Sequence, residues 1–192
     1  MNVRQLLAPV LAAGLLSAAG AQAGPMVFTA DALTDSSSSP LDTGIGLLAG
    51  DAFEVFVDPD DLWSAGALPR WSNADGLVAD LFASGSDESG EDAGTRIGRS
   101  FGPYASGGFT APFGSLVGQL GSERFLIGSS FAGTAPADGN LSLLYWDSSY
   151  GDNTESIEVT VRLSEVPVPA PAALIGIGLL ALGWRRAALR RR

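Results

Sequence analysis

SIEVTVRL, residues Ser156–Leu163, alternates without a break: Ile157, Val159, Val161 and Leu163 fall on one side, Glu158, Thr160 and Arg162 on the other. A period of two with β-branched residues on the apolar side predicts a strand with one buried face and one wet face. Working back along the chain, AFEVFV (Ala52–Val57) repeats the pattern with Phe53, Val55 and Val57 on one face. NLSLLYWD (Asn140–Asp147) follows the turn pair Asp138-Gly139. SLVGQLG and RFLIGSSF are short apolar stretches whose Gly-Ser-Glu junction predicts a hairpin. A helical period shows weakly in one place, DGLVADLFAS (Asp75–Ser84). Thr29–Gly44 is polar and Ser-rich, a linker or an irregular strand lead-in, and Ser84–Gly114 reads as a Gly/Ser-rich surface loop or insertion with an acidic first half. Many short strands with frequent glycine predict an all-β body, an antiparallel β-sandwich of jelly-roll-like type.

The two ends of the chain carry different signals. Arg4 precedes an apolar run, LLAPVLAAGLLSAAG, that stops at Ala21-Gln22-Ala23, so residues 1–23 read as a signal peptide cleaved after Ala23, with Ala21 and Ala23 as the small residues of the cleavage site. At the other end, Val166-Pro167-Val168-Pro169-Ala170 leads into an apolar helix over residues 172–184, and Arg185, Arg186 and three further arginines close the chain. Even counted from Ala170, that helix reaches only about 23 Å, short of a hydrocarbon core of about 30 Å. The arginines are expected to stay cytoplasmic, which leaves the body outside the inner membrane. Residues 166–192 resemble the C-terminal sorting signals of the PEP-CTERM class in the variant that begins VPLPA, with Val168 where Leu is usual. The resemblance implies handling by an exosortase/archaeosortase-type membrane protease. The helix would be held in the inner membrane transiently, and the product sent to the cell surface or extracellular matrix of a Gram-negative-type bacterium.

Between the signals lies a body of residues 24–165. It holds all 21 acidic residues and only five arginines, Arg70, Arg96, Arg99, Arg124 and Arg162, a net charge of about −16. Such a body repels nucleic acid and anionic membrane surfaces, and admits cations and neutral ligands. The chain has no His and no Cys, which removes Ser-His-Asp and Cys-His catalysis, the usual zinc sites and thiol redox chemistry. Gly44–Ala49 and Gly176–Ala181 both satisfy G-x-G-x-x-A, yet neither sits in a βαβ unit. The sequence therefore reads as a binding or structural protein and not as an enzyme.

Asp147, Asp152, Asn153 and Glu155 lie between the last two strands. They read either as a polar turn or as an oxygen-only ligand set of the kind Ca²⁺ prefers. If the flanking strands pair as a hairpin, the loop ends lie about 5 Å apart. Two carboxylates at that distance repel by about 3 kcal/mol at an effective dielectric near 20, which raises one pKa or recruits a cation. An EF-hand does not fit, because the sixth position from Asp147 is Asp152 where Gly is required.

From Gly114 onward the sequence resembles the PA-IL-like bacterial lectins, in a G-x-L-V-x-x-L-G segment, the loop after Trp146 and the last alternating strand. Upstream, GDAFEVFV and WSAGALPRWSNADG, with Trp63, Trp71 and Gly76, resemble that family's Gly-Asp strand and Trp loop. The resemblance implies a β-sandwich and a Ca²⁺ ion held by the side chains of Asp147, Asp152 and Asn153, with backbone carbonyls from Gly66 and Ser149. It further implies a carbohydrate bound through the ion at Asp147 and Asp152, and relatives of this kind assemble as oligomers. Three residues depart from the pattern: Trp146 stands for Asn, Glu155 for a loop Gly, and no His is present, so galactose specificity is not implied. Trp63, Trp71 and Trp146 read either as core aromatics or as platforms for a pyranose ring, Trp146 being the best placed for the second role. The function expected is calcium-dependent carbohydrate binding by a surface-sorted protein, and the alternative is a structural surface or matrix protein with a degenerate loop.

Overall fold

The computed structural model describes residues 24–164; the stretches read above as a signal peptide and a sorting segment lie outside the described residues. Two four-stranded antiparallel sheets form the body. The first runs β1 (Met26–Asp31), β14 (Ser156–Leu163), β3 (Ala52–Val57), β12 (Ser130–Thr134). The second runs β11 (Glu123–Leu126), β10 (Ser115–Leu120), β13 (Gly139–Trp146), β2 (Leu41–Leu47). Three two-stranded ribbons complete the structure: β4 (Trp63–Ser64) with β5 (Trp71–Ser72), β6 (Leu81–Phe82) with β7 (Arg96–Gly98), and β8 (Pro103–Ser106) with β9 (Phe109–Pro112).

The period-two reading holds in both halves of the core. Ile157, Val159 and Val161 of β14 and Phe53, Val55 and Val57 of β3 are all buried, and they share one cluster with Leu116 and Leu120 of β10 and Leu141, Leu143 and Tyr145 of β13. Each fully buried aliphatic side chain contributes about 1.5–3 kcal/mol relative to exposure, so this shared face is what holds the two sheets together. The hairpin expected around Gly121 is present, Leu120 pairing with Glu123.

Four expectations change. The strands flanking the acidic loop do not pair: β13 belongs to the second sheet and β14 to the first, so the loop crosses the sandwich. Asp75–Ser84 forms no helix; it holds turns and the two-residue β6, with Leu77 and Ala83 buried and Val78 and Phe82 exposed. Its apolar positions serve tertiary contacts and not a helical stripe. Thr29–Gly44 is more than a lead-in, since it supplies the end of β1 and the start of β2.

The segment 84–114 is the fourth. Its acidic part is largely exposed, with Asp87 and Glu91 half-buried, but the remainder supplies β7 and the β8–β9 hairpin. That hairpin lays Tyr104, Phe109 and Ala111 over Val117, Leu144 and Trp146 on the outer face of the second sheet. β13 is therefore buried on both sides. Trp146 is 0% exposed, edge-on to Phe109 with ring centroids 5.1 Å apart, and its indole N–H donates to the Tyr104 carbonyl at 3.0 Å. An indole so enclosed presents no face to a sugar, which corrects the platform role and assigns Trp146 to the core. Trp146→Ala is expected to destabilise the body by about 3–5 kcal/mol in denaturant unfolding; a loss below about 1 kcal/mol would contradict a packed role.

Candidate functional site

Asp147 is the first residue to leave β13, and it leaves from a fixed point. Tyr145, beside it, is fully buried against Trp63 with ring centroids 4.5 Å apart at 86°, and the Tyr145 N–H donates to the Asp35 carbonyl at 2.7 Å. Trp63 is itself held by its indole N–H, which donates to the Gly114 carbonyl at 2.9 Å. Trp63 is thus core as well, and Trp71 packs partly buried against the small cluster of Leu62, Ala83 and Ile97.

Beyond Asp147 the chain crosses towards β14 and is anchored on the way. Ser64 and Thr154 exchange two backbone hydrogen bonds, at 3.0 and 3.1 Å, which bring the loop against the β4–β5 turn. There Gly66 adopts φ +112°, and a Cβ at that position would collide with the Asp152 carboxylate. Glycine is required both for the backbone conformation and for this close approach. The Gly66 carbonyl accepts the Ser64 hydroxyl at 2.6 Å, which leaves its second lone pair for another partner.

The result is a concavity of about 220 Å³ lined by Asp147, Ser148, Ser149 and Asp152 from the loop, Ala65 and Arg70 from the β4–β5 turn, and Leu77, Phe101 and Phe113. Asp147 is 5% exposed and Asn153 2%. Asn153 donates from Nδ2 to the Ala32 carbonyl at 3.0 Å, while its Oδ1 is buried without a partner. Burial pushes the Asp147 carboxyl above its ordinary value of 3.8; the backbone N–H groups of Ser148 and Ser149 and the Asn153 amide oppose the rise, and the Asp152 charge adds to it. A carboxyl raised by folding takes up a proton on folding. Its ionisation therefore withdraws stability as pH rises above 3.8 through the raised range, and a cation beside it would restore that stability. Among the described residues no three carboxylates converge as a metal cluster; the acids here are two, completed by neutral oxygens.

The structure brings Asp147, Asp152 and Ser149 to one concavity, sets Asn153 against Asp147, and lays Asp152 on Gly66. Sequence reasoning did not find Arg70 or Phe101. The Arg70 Nη1 lies 3.5 Å from Asp152 Oδ2 and donates to the Ala65 carbonyl at 3.3 Å, and the guanidinium stands 5.6 Å from the Phe101 ring centroid. The available signal was scarcity, since a body with so few cations does not place one beside a paired acid by default. With side chains 42% and 55% exposed, the Arg70–Asp152 pair is worth at most about 1 kcal/mol.

No protein-family model matches the chain, and no curated protein matches it. A solved structure described as "EclA N-terminal domain; PllA-like lectin" is similar in its coordinates, with 21% sequence identity, a TM-score of 0.48, and coverage of 72% of this chain and 95% of that one.

Glu155 closes the loop at φ 69°, the left-handed region, with its carbonyl accepting the Ala32 N–H at 2.9 Å. A non-glycine residue there costs about 1–2 kcal/mol, partly offset by the greater chain entropy of an unfolded glycine. Glu155→Gly is expected to raise stability by about 0.5–1 kcal/mol in denaturant unfolding; a decrease would show that the glutamate side chain makes a compensating contact.

Proposed function

We propose that this body is a calcium-dependent carbohydrate-binding module. In this reading Asp147, Asp152 and Asn153 hold Ca²⁺, with backbone carbonyls of Gly66 and Ser149. The observation that carries it is the buried, unpartnered Oδ1 of Asn153, a side chain whose amide also stands against the desolvated Asp147 carboxyl. An orphaned acceptor in the interior costs about 1–3 kcal/mol, and a cation is the partner that would satisfy it together with the acid. The donor set is all oxygen and its two carboxylates balance a divalent charge, which suits calcium. Calcium, when bound there, would supply Lewis-acid attraction for sugar hydroxyls. The chain's own residues would hold the ion from the wall of the concavity, whose opening is left for the ligand.

The alternative, a surface or matrix protein with a degenerate loop, is favoured by Arg70, which already partners Asp152. A thermal melt of the full chain, purified in mild detergent, separates the two. In calcium at about 100 times the dissociation constant the gain is about 2.7 kcal/mol over chelator, several degrees for a domain of this size, and it exceeds what the Arg70 pair can oppose. Asp147→Ala and Asp152→Ala are expected to lose the shift. Identical melts of the wild type in calcium and chelator would leave the structural reading.

The ends fit a surface role. The VPVPA box, the short apolar run and the arginines support handling by an exosortase-type protease, with the inner membrane as a transient station. Mass spectrometry of protein released from the cell surface is expected to find no peptide containing Trp184; recovery of that residue in the released form would refute processing.

A further inference from the structure

Phe101 stands at the mouth of the concavity, 40% exposed. Two guanidiniums are held on its ring, Arg70 at 5.6 Å from the centroid and Arg99 at 5.3 Å. These are two of the five arginines of the body, drawn to one aromatic beside the site in a domain where acidic residues dominate. Both distances fall inside the range of a cation–π contact, which orients a guanidinium without consuming its hydrogen-bond donors. Arg70 spends part of its donor capacity on Asp152 and Ala65; Arg99 has no carboxylate within ion-pair distance among the described residues.

Without a metal, Arg70 answers one of two carboxylates. With a divalent ion on Asp147 and Asp152 those charges would cancel and the hold of Asp152 on Arg70 would lapse, which would leave Arg70 in the wall of the concavity, and Arg99 behind it on the Phe101 ring, with no anion to meet. We infer that the ligand supplies that anion: the site takes a carboxylated sugar, a hexuronate, whose hydroxyls meet the ion while its carboxylate pairs with Arg70, assisted by Arg99. This rests on the calcium reading above. The net acidity of the body does not forbid it. Repulsion from distant carboxylates is screened over about 8 Å at physiological salt, whereas the arginine fork acts at hydrogen-bond range.

Matched sugars test this, with the full chain in mild detergent, at physiological salt and in excess calcium. Galacturonate is compared with galactose, and glucuronate with glucose, by titration calorimetry; each pair differs only at the sixth carbon. The wild type is expected to bind at least one uronate about tenfold more tightly than its neutral partner, the scale of one charge-assisted hydrogen bond. Arg70→Gln should erase most of that preference and Arg99→Gln part of it. The calcium-induced melting shift of Arg70→Gln should be at least as large as that of the wild type, because Asp152 has lost its competitor. Equal affinity for acid and neutral sugars, or a preference that survives both substitutions, overturns the inference while leaving the calcium site standing. A wild type with no melting shift in calcium overturns the calcium reading and this inference with it.

Discussion

Burial of β13 on both faces is the constraint on which the site depends. Leu141, Leu143 and Tyr145 pack into the sandwich, while Leu144 and Trp146 pack under the β8–β9 hairpin. A strand gripped from two sides cannot slip by one residue without moving an aromatic from one packed layer into the other. Asp147 therefore leaves the sheet at a fixed place and with little solvent around it. The segment that first resembles an inserted loop is what closes the second layer, and it also delivers Phe101 to the mouth of the concavity. Fold and site are joined through the same segment.

The second constraint is electrostatic. The body is strongly acidic, and its site places a buried carboxyl near a second carboxyl and an amide oxygen with no partner. Such an arrangement withdraws stability from the fold. Groups perturbed in this way cluster at functional sites, and structural networks perturb them too. The Arg70–Asp152 contact relieves part of the imbalance, and being half-exposed it relieves it weakly. A pair this exposed does not hold Arg70 as a fixed strut.

The strands with clean alternation were legible because each has one wet face: β3 and β14 read directly as Phe53-Val55-Val57 and Ile157-Val159-Val161. β13 was legible as a strand but not in its facing, since LLYW is apolar at every position and period two has nothing to register when both faces are covered. That is why Trp146 could be taken for a ligand platform. The loop's residue types were legible, but its path was not, because nothing local in Asp147–Glu155 states that the chain changes sheets. Gly66 entered the reading through resemblance alone, and its reason, the approach of the Asp152 carboxylate, exists only in three dimensions. Arg70 and Phe101 are distant in sequence and are brought near each other by an isolated β-bridge between Arg70 and Gly98, a contact that carries no sequence signature.

The central claim is that the concavity between the β4–β5 turn and the Asp147–Glu155 loop is a calcium site. A crystal structure of the protein grown in calcium tests it most directly. The account predicts a density peak with calcium's anomalous signal, about 2.3–2.6 Å from carboxylate oxygens of Asp147 and Asp152 and from Asn153 Oδ1, with Arg70 turned away from Asp152. Water alone in the concavity at millimolar calcium, with the Arg70–Asp152 pair intact, would contradict it.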